Sequence, residues 1–478
     1  MAFHDLRAYL EELRHRGLVK DVKGADWDVE IGAISAMIAR SAKPRALLFD
    51  VVKGYNKGLR VATNLYISRE MQSLALSWPS GMREMELVDF WRRKLRDLKP
   101  LKPTEVSDGP IKENELKGEE VDLLSFPIPR WHEEDAGRYL AGGAVILRDP
   151  DEGWVNVGVY RAMVHDGKTL GLMISPGHDG LAIIRKYWNM GKAAPVAVLG
   201  AQDPLTFYAG ATAFPWRQQE LDLAGGLAGR PMDVIIDQET QLPIPSGAEM
   251  AIFGEVPPSE MVDEGPFGEC AGYYTHKGPS PIIRVKKIWH RNDPIIQGNP
   301  PLYEGGSPFK GSSDSYSLGS QITVSALAWN SLESLGIEVA GVYSLVQPCM
   351  TSSVLIISLR NPTRGAVTRA AAAALAMGGM MRKAVVVVDD GVDPSDVYQV
   401  LFAVATRCDP ALDVQVIKDV TTSSLDPSVP SEIRGGGHPT GSCAIVDATI
   451  KTYTPRPITV SDKLMTALKK WERLLEDD

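Results

Sequence analysis

Two carboxylates, Glu264 and Glu269, stand five residues apart in Asp263-Glu264-Gly265-Pro266-Phe267-Gly268-Glu269. Gly265, Pro266 and Gly268 keep this stretch out of a regular helix, so the acids belong to a loop or strand end. Phe267, Tyr273 and Tyr274 would draw that loop onto apolar surface, where burial raises the proton affinity of a carboxyl. An acid so placed can hold and release a proton near neutral pH. The pair is a candidate acid/base site.

Upstream, Trp154-Val155-Asn156-Val157-Gly158-Val159-Tyr160-Arg161 carries a carboxamide and a guanidinium five positions apart. Strict strand alternation sends those two side chains to opposite faces, so a bulge or a strand end is needed if both serve one pocket. His178 sits in the turn Ser175-Pro176-Gly177-His178-Asp179-Gly180, and Glu220 opens a helical stretch. Each has a plainer reading: a turn histidine is ordinary surface, and an acid suits a helix N-terminus. Together Asn156, His178 and Glu220 offer an amide oxygen, an imidazole and a carboxylate. That mostly oxygen set suits Mg²⁺ or Mn²⁺ better than zinc, and such an ion typically bridges to a phosphate. No Walker sequence and no GxGxxG follows a strand.

The chain has 478 residues, too many for one core, so two or three domains are expected. Its 44% hydrophobic and 23% charged residues are those of a soluble globular enzyme. The formal charge of -9 argues against a nucleic-acid partner. No apolar run reaches membrane-spanning length, and the N-terminal stretch has acids among its apolar positions, unlike a signal peptide. Cys270, Cys349, Cys408 and Cys443 are far apart without a CxxC pair, which points to neither a disulfide framework nor a thiolate zinc site. A reduced, cytoplasmic protein is expected.

Periodicity divides the chain into an N-terminal α/β region over 1–110, a β-rich domain over 111–305, a C-terminal α/β domain over 306–455 and an amphipathic helix over 456–478. The first region reads as helices over 4–16, 30–41 and 86–98 with strands near 47–52 and 60–63; the Pro-rich 98–116 reads as a linker. Short runs over 141–147, 154–163, 170–174, 196–199, 232–236, 251–255 and 282–289 predict a mostly antiparallel sheet or split barrel. Beyond 307, helices over 323–335, 364–377 and 394–407 alternate with strands over 338–344, 353–358, 383–389, 413–416 and 443–447, a crossover pattern. The fold class is mixed α/β (α+β). Residues 297–318, Gly- and Ser-rich with Leu302, Tyr303 and Phe309, would line a substrate side.

The pieces WVNVGVYR, GHDG, QQELDLAGGLAG and DEGPFGECAGYY, with VVDDGVDPSDVYQVLFAVATRCDP after them, resemble the UbiD family of prenylated-FMN-dependent decarboxylases in order and separation. The resemblance runs over nearly the whole chain. It implies a split-barrel flavin domain and a C-terminal oligomerisation domain. Asn156, His178 and Glu220 match the family's ligands for Mn²⁺ or Mg²⁺, which hold the phosphate of prenylated FMN, with K⁺ beside them. Arg161, Glu264 and Glu269 match its Arg-Glu-Glu triad, with Glu269 as proton carrier and Arg161 and Glu264 setting its charge and orienting the substrate carboxylate. The implied reaction is reversible, non-oxidative decarboxylation of an aromatic, heteroaromatic or α,β-unsaturated acid. Implied partners are a flavin prenyltransferase that supplies the cofactor and further copies of the chain, as a homodimer or homohexamer. One departure stands out: Cys443 occupies the place of a flavin-contacting lysine. Two readings of other classes compete, a metal-dependent hydrolase built on Asn156, His178 and Glu220 and a non-catalytic flavin- or phosphate-binding protein.

Overall fold

The computed structural model describes residues 2–212, 214, 218–298, 318–346, 353–377, 381–434 and 439–455, with 458, 462–468 and 471 near the end. Most of the 297–318 segment, residues 435–438 of the Gly-rich loop and most of the terminal helix therefore lie outside the described residues.

The chain opens with helix Leu6–His15, capped by Asp5, whose carboxylate accepts the Ala8 N–H at 2.8 Å. Leu6, Tyr9, Leu10 and Leu13 form its buried face. Strands Val19–Lys23, Ala46–Asp50 and Arg60–Thr63 make a small sheet completed by Ile295–Gln297, which pairs in parallel with Arg60–Thr63. A segment from much later in the chain thus ties this region to the next domain.

The central sheet has ten strands, all antiparallel in their pairings, curled into a half-barrel. Its spine is the 13-residue strand Gly278–His290, which pairs with Thr169–Leu172, Met250–Val256, Met261–Glu264 and Asn114–Lys117. Further strands, Ala194–Ala201, Ala144–Arg148 and Val155–Val159, continue it on one side. The stretch 98–116 is more than a linker: Thr104–Glu105 pairs with Asp233–Ile236 and Asn114–Lys117 with the spine. Proline excludes ladder bonding only at its own N–H, and the residues between the prolines are free to pair.

The C-terminal sheet runs in the order Val339–Val346, Val354–Leu359, Ala384–Asp389, Thr440–Asp447, Val414–Thr421, parallel at its centre and antiparallel at both edges. Helix Arg364–Ala376 buries Ala370, Ala371 and Ala374, which explains the alanine run as close helix-on-sheet packing. Helix Ser320–Ser334 lies against Glu84–Arg96, where the Trp91 indole N–H reaches Thr323 Oγ1 and Tyr208 Oη at 3.1 Å each. Arg92 covers the Trp329 ring and pairs with Glu333 at 2.8 Å. One apolar cluster consequently joins Leu6, Trp91 and Phe207 to Ile322, Leu355 and Ile445.

Among the described residues no helix is long and apolar enough to cross a membrane. The cysteines depart from expectation: Cys408 and Cys443 are free, but Cys270 is disulfide-bonded. Separation along the chain does not bound separation in space, which is what a disulfide requires.

Where Ala144–Arg148 enters the sheet, a Cβ at Gly143 would sit 1.6 Å from the Leu199 carbonyl oxygen. Gly143→Ala should therefore lower stability by about 1–3 kcal/mol through forced strand separation. An unchanged denaturant midpoint would show that the strands are not held so closely.

Candidate functional site

The stretch 154–163 folds as two strands, Val155–Val159 and Ala162–Asp166, with Tyr160-Arg161 between them. The break resets the alternation and supplies the strand end that Asn156 and Arg161 need in order to serve one region. Arg161 is buried. Its Nε and Nη2 donate to the two oxygens of Glu264 at 2.8 and 3.0 Å, and its Nη1 to Glu269 Oε2 at 2.5 Å. Burial alone would weaken the charged guanidinium; Glu269 and Glu264 overcome it and hold Arg161 above its ordinary range. The guanidinium also lies 5.0 Å from the centroid of the Phe267 ring.

The loop carrying the acids is shaped by its own residues. Gly265 has φ +82°, and a Cβ there would meet the His276 carbonyl oxygen at 2.7 Å. Phe267 is fully buried against Tyr139, ring centroids 4.4 Å apart. Thr275 accepts the Phe267 N–H on Oγ1 at 3.1 Å and donates its own N–H to the Phe267 carbonyl at 2.9 Å. The Cys270 N–H reaches Glu269 Oε1 at 2.8 Å. Of the three aromatics expected to bury this loop, only Phe267 does so; Tyr273 is half exposed and Tyr274 one-third exposed.

Thr275 and Tyr139 are among the residues that sequence reading missed. Thr275 also stands 3.4 Å from Arg161 Nη2, and Tyr139 Oη accepts the Gly265 N–H at 3.3 Å. Burial, then the Glu264 charge, pushes the Tyr139 phenol well up, so it stays neutral. The sequence signal for Thr275 is the pairing of an Asp-Glu-Gly turn with a following Tyr-Tyr-Thr, too common to single it out, and Tyr139, in Gly137-Arg138-Tyr139-Leu140, carries none.

The second group adjoins the first through Tyr160, whose ring meets His178 edge-on at 5.6 Å. Helix Glu220–Ala228 begins at its acid, and helix Asp179–Asn189 begins just after His178. Glu220 Oε1 accepts from Asn156 Nδ2 at 3.1 Å, and Oε2 from the Val157 N–H at 2.9 Å. His178 Nδ1 lies 3.0 Å from the Ser175 carbonyl; with the proton on Nδ1, its Nε2 lone pair is left for another partner. Asn156 Oδ1 is buried with no hydrogen-bond partner among the described residues. Burial drives the Glu220 carboxyl up to about 7 against its hydrogen bonds from Val157 and Asn156. An orphaned amide oxygen beside a carboxyl starved of positive charge fits a seat for a cation. Among the described residues no three His, Cys, Asp or Glu side chains form a metal group.

Cys443 is buried. It lies on Thr440–Asp447 in the apolar cluster, its thiol pushed up by burial and hydrogen-bonded to the Ala444 carbonyl at 3.7 Å. The C-terminal domain reaches both groups by other residues: Ser424 Oγ is 3.4 Å from Ser175 Oγ, and Arg434 Nη2 is 2.7 Å from His276 Nε2.

Residues 10–91, 102–303 and 319–448 match the sequence models of the N-terminal, Rift-related and C-terminal domains of 3-octaprenyl-4-hydroxybenzoate carboxy-lyase. The chain is 31% identical over 492 aligned positions to a phenolic acid decarboxylase of Bacillus subtilis, covering 100% of this chain and 99% of that one. The closed form of vanillic acid decarboxylase from Sedimentibacter hydroxybenzoicus superposes with a TM-score of 0.88 at 26% identity, covering 100% of both chains. An evolved dimeric form of the UbiD-class enzyme HmfF from Pelotomaculum thermopropionicum, in complex with prFMN, gives a TM-score of 0.78 at 28% identity, covering 96% of this chain and 97% of that one. With all three domains matched in order across an α/β fold of this architecture, the chain belongs to the UbiD family and is a carboxy-lyase of the decarboxylase type.

Proposed function

We propose that this carboxy-lyase is a reversible, non-oxidative decarboxylase of an aromatic, heteroaromatic or α,β-unsaturated acid, with Arg161, Glu264 and Glu269 as its working triad. The observation that carries the reading is one buried guanidinium held between two carboxylates. Glu264, engaged at two points, fixes the plane of Arg161, which then orients the substrate carboxylate. Glu269 delivers a proton to the carbon that loses CO₂. The carboxylate left behind is already met by Arg161 Nη1 at 2.5 Å and the Cys270 N–H at 2.8 Å, donors that need no rearrangement when the charge appears.

Asn156 Oδ1, His178 Nε2 and Glu220 would hold Mn²⁺ or Mg²⁺, with K⁺ as a second ion, and through the divalent ion the phosphate of prenylated FMN. That cofactor, when bound, supplies the electron sink without which an sp² carbanion is too unstable to form. A separate flavin prenyltransferase would provide it. The unpartnered Asn156 oxygen and the high Glu220 carboxyl support this seat.

A second copy of the chain is the partner the outer surface fits best. Helix Val397–Arg407 packs Val400 and Ala403 on its own sheet but exposes Tyr398, Leu401 and Phe402 by 82%, 58% and 65%. Among the described residues the strand Val414–Thr421 is a sheet edge, with Val416 and Ile417 exposed. Apolar surface and a free edge of this kind are ordinarily covered in the functional assembly.

Three outcomes follow from this reading. Glu269→Gln should lose at least about 10²-fold in turnover while keeping its flavin absorbance; full activity would remove Glu269 from the chemistry. Glu220 keeps its proton up to about 7 in the folded chain, against 4.5 ordinarily, so the folded state binds a proton the unfolded chain has released. Cofactor-free protein should then lose stability as pH rises through that window, by on the order of 3 kcal/mol, and Glu220→Gln should flatten the slope. An identical slope in the variant would rule this acid out. Finally, Leu401→Glu with Phe402→Glu should yield a monomer by sedimentation velocity, and an unchanged mass would place the interface elsewhere.

A further inference from the structure

Asp135 belongs neither to the triad nor to the cation seat, yet its side chain is fully buried. A carboxylate in that position must find donors. Its Oδ2 accepts the N–H groups of Trp131 at 3.2 Å and His132 at 2.9 Å, with His132 Nδ1 at 3.3 Å. Its Oδ1 accepts the N–H of Gly268 at 2.7 Å. The Oδ2 donors all lie in Asp135's own turn. The Gly268 donor lies across the site, on the residue that precedes Glu269.

The same two segments meet at further points. The Ala136 N–H donates to the Pro266 carbonyl at 2.9 Å, and the Glu134 N–H to Tyr274 Oη at 3.3 Å. His132 fills the space beside Gly268, where a Cβ would stand 2.5 Å from its Nδ1. Its ring meets Phe267 and Tyr274 edge-on, with centroids 6.4 and 6.3 Å away. Glu269 is thus held from two sides: its carboxylate by Arg161 and its backbone by Asp135 one residue earlier.

We propose that Asp135 is a positioning residue for Glu269, fixing through the Gly268 amide where the proton-bearing carboxyl stands relative to the substrate carbon. The inference rests on the reading of Glu269 as proton carrier. Its physical basis is that a charge-assisted hydrogen bond to a buried carboxylate holds a loop more tightly than packing alone. Displacing a reacting group by about 1 Å can cost on the order of 10²-fold in rate.

The test uses holoenzyme carrying Asp135→Asn and Asp135→Ala, with Glu269→Gln beside them. Asparagine can offer its oxygen to Gly268 or to the 131–132 amides but not to both, so it should be intermediate. Expected is a fall in kcat of roughly tenfold for Asn and about a hundredfold for Ala, with KM, flavin content and bound metal unchanged. Exchange of solvent hydrogen at the leaving carbon should fall in the same ratio. Wild-type kcat in Asp135→Ala beside an inactive Glu269→Gln would overturn the positioning role. Turnover by Glu269→Gln would instead overturn the reading beneath it. Parallel loss of KM, flavin and kcat would make Asp135 a general structural residue and overturn the proposal too. Should the variants fail to fold, amide hydrogen exchange in the wild type decides: the Gly268 amide should exchange as slowly as strand amides, and exchange at open-loop rates would refute the bond.

Discussion

A single guanidinium, removed from water and shared by two carboxylates, is the constraint on which the central part of this molecule depends. Bringing Arg161, Glu264 and Glu269 into the interior is unfavourable unless each finds its partner, and leaving one of them alone there costs roughly 3–5 kcal/mol. The fold meets that demand with separate pieces of backbone. Arg161 comes from the junction of two strands, Glu264 from the end of a strand paired to the sheet's spine, and Glu269 from a loop pinned by Phe267 and Thr275. The ion pairs therefore tie the strand junction at Arg161 to the strand end and the loop that carry the two acids.

The neighbouring group at Asn156, His178 and Glu220 follows the opposite logic. There polarity is left unsatisfied among the described residues: an amide oxygen without a donor and a carboxyl that holds its proton to about 7. Tyr160 separates the two regions, with its ring on His178 and its backbone joined to Arg161. An ion-paired cluster and a group with unsatisfied polarity thus stand side by side, and the proposed reading gives the first the proton and the second the charged ligand.

Much of this was legible in the sequence because it depends on local pattern. Alternating apolar runs marked the central strands, helix periodicity marked the C-terminal layers, and the acids at 264 and 269 stood out through the glycines and proline between them. The parity problem between Asn156 and Arg161 even called for a strand end, and one is present at Tyr160. What escaped depends on proximity between remote segments. Asp135 reads as one acid among several in His132-Glu133-Glu134-Asp135, and only the folded chain sets it against Gly268. Thr104 and Asn114 looked like linker because their pairing partners are more than a hundred residues away. The disulfide at Cys270 escaped for the same reason, and Tyr273 and Tyr274 were expected inside because aromaticity alone does not say which face of a turn meets solvent.

The parallel pairing of Ile295–Gln297 with Arg60–Thr63 has a consequence for biogenesis. The small N-terminal sheet cannot be completed until the whole half-barrel has been synthesised, because its last strand follows the spine Gly278–His290 almost directly. On the ribosome, the first ninety-odd residues must wait with one edge open while some two hundred more emerge, a long-range closure of the kind that slows folding. The domain translated first is therefore finished only with the second, and its exposed edge during that interval is where a nascent chain of this family is most open to wrong pairing.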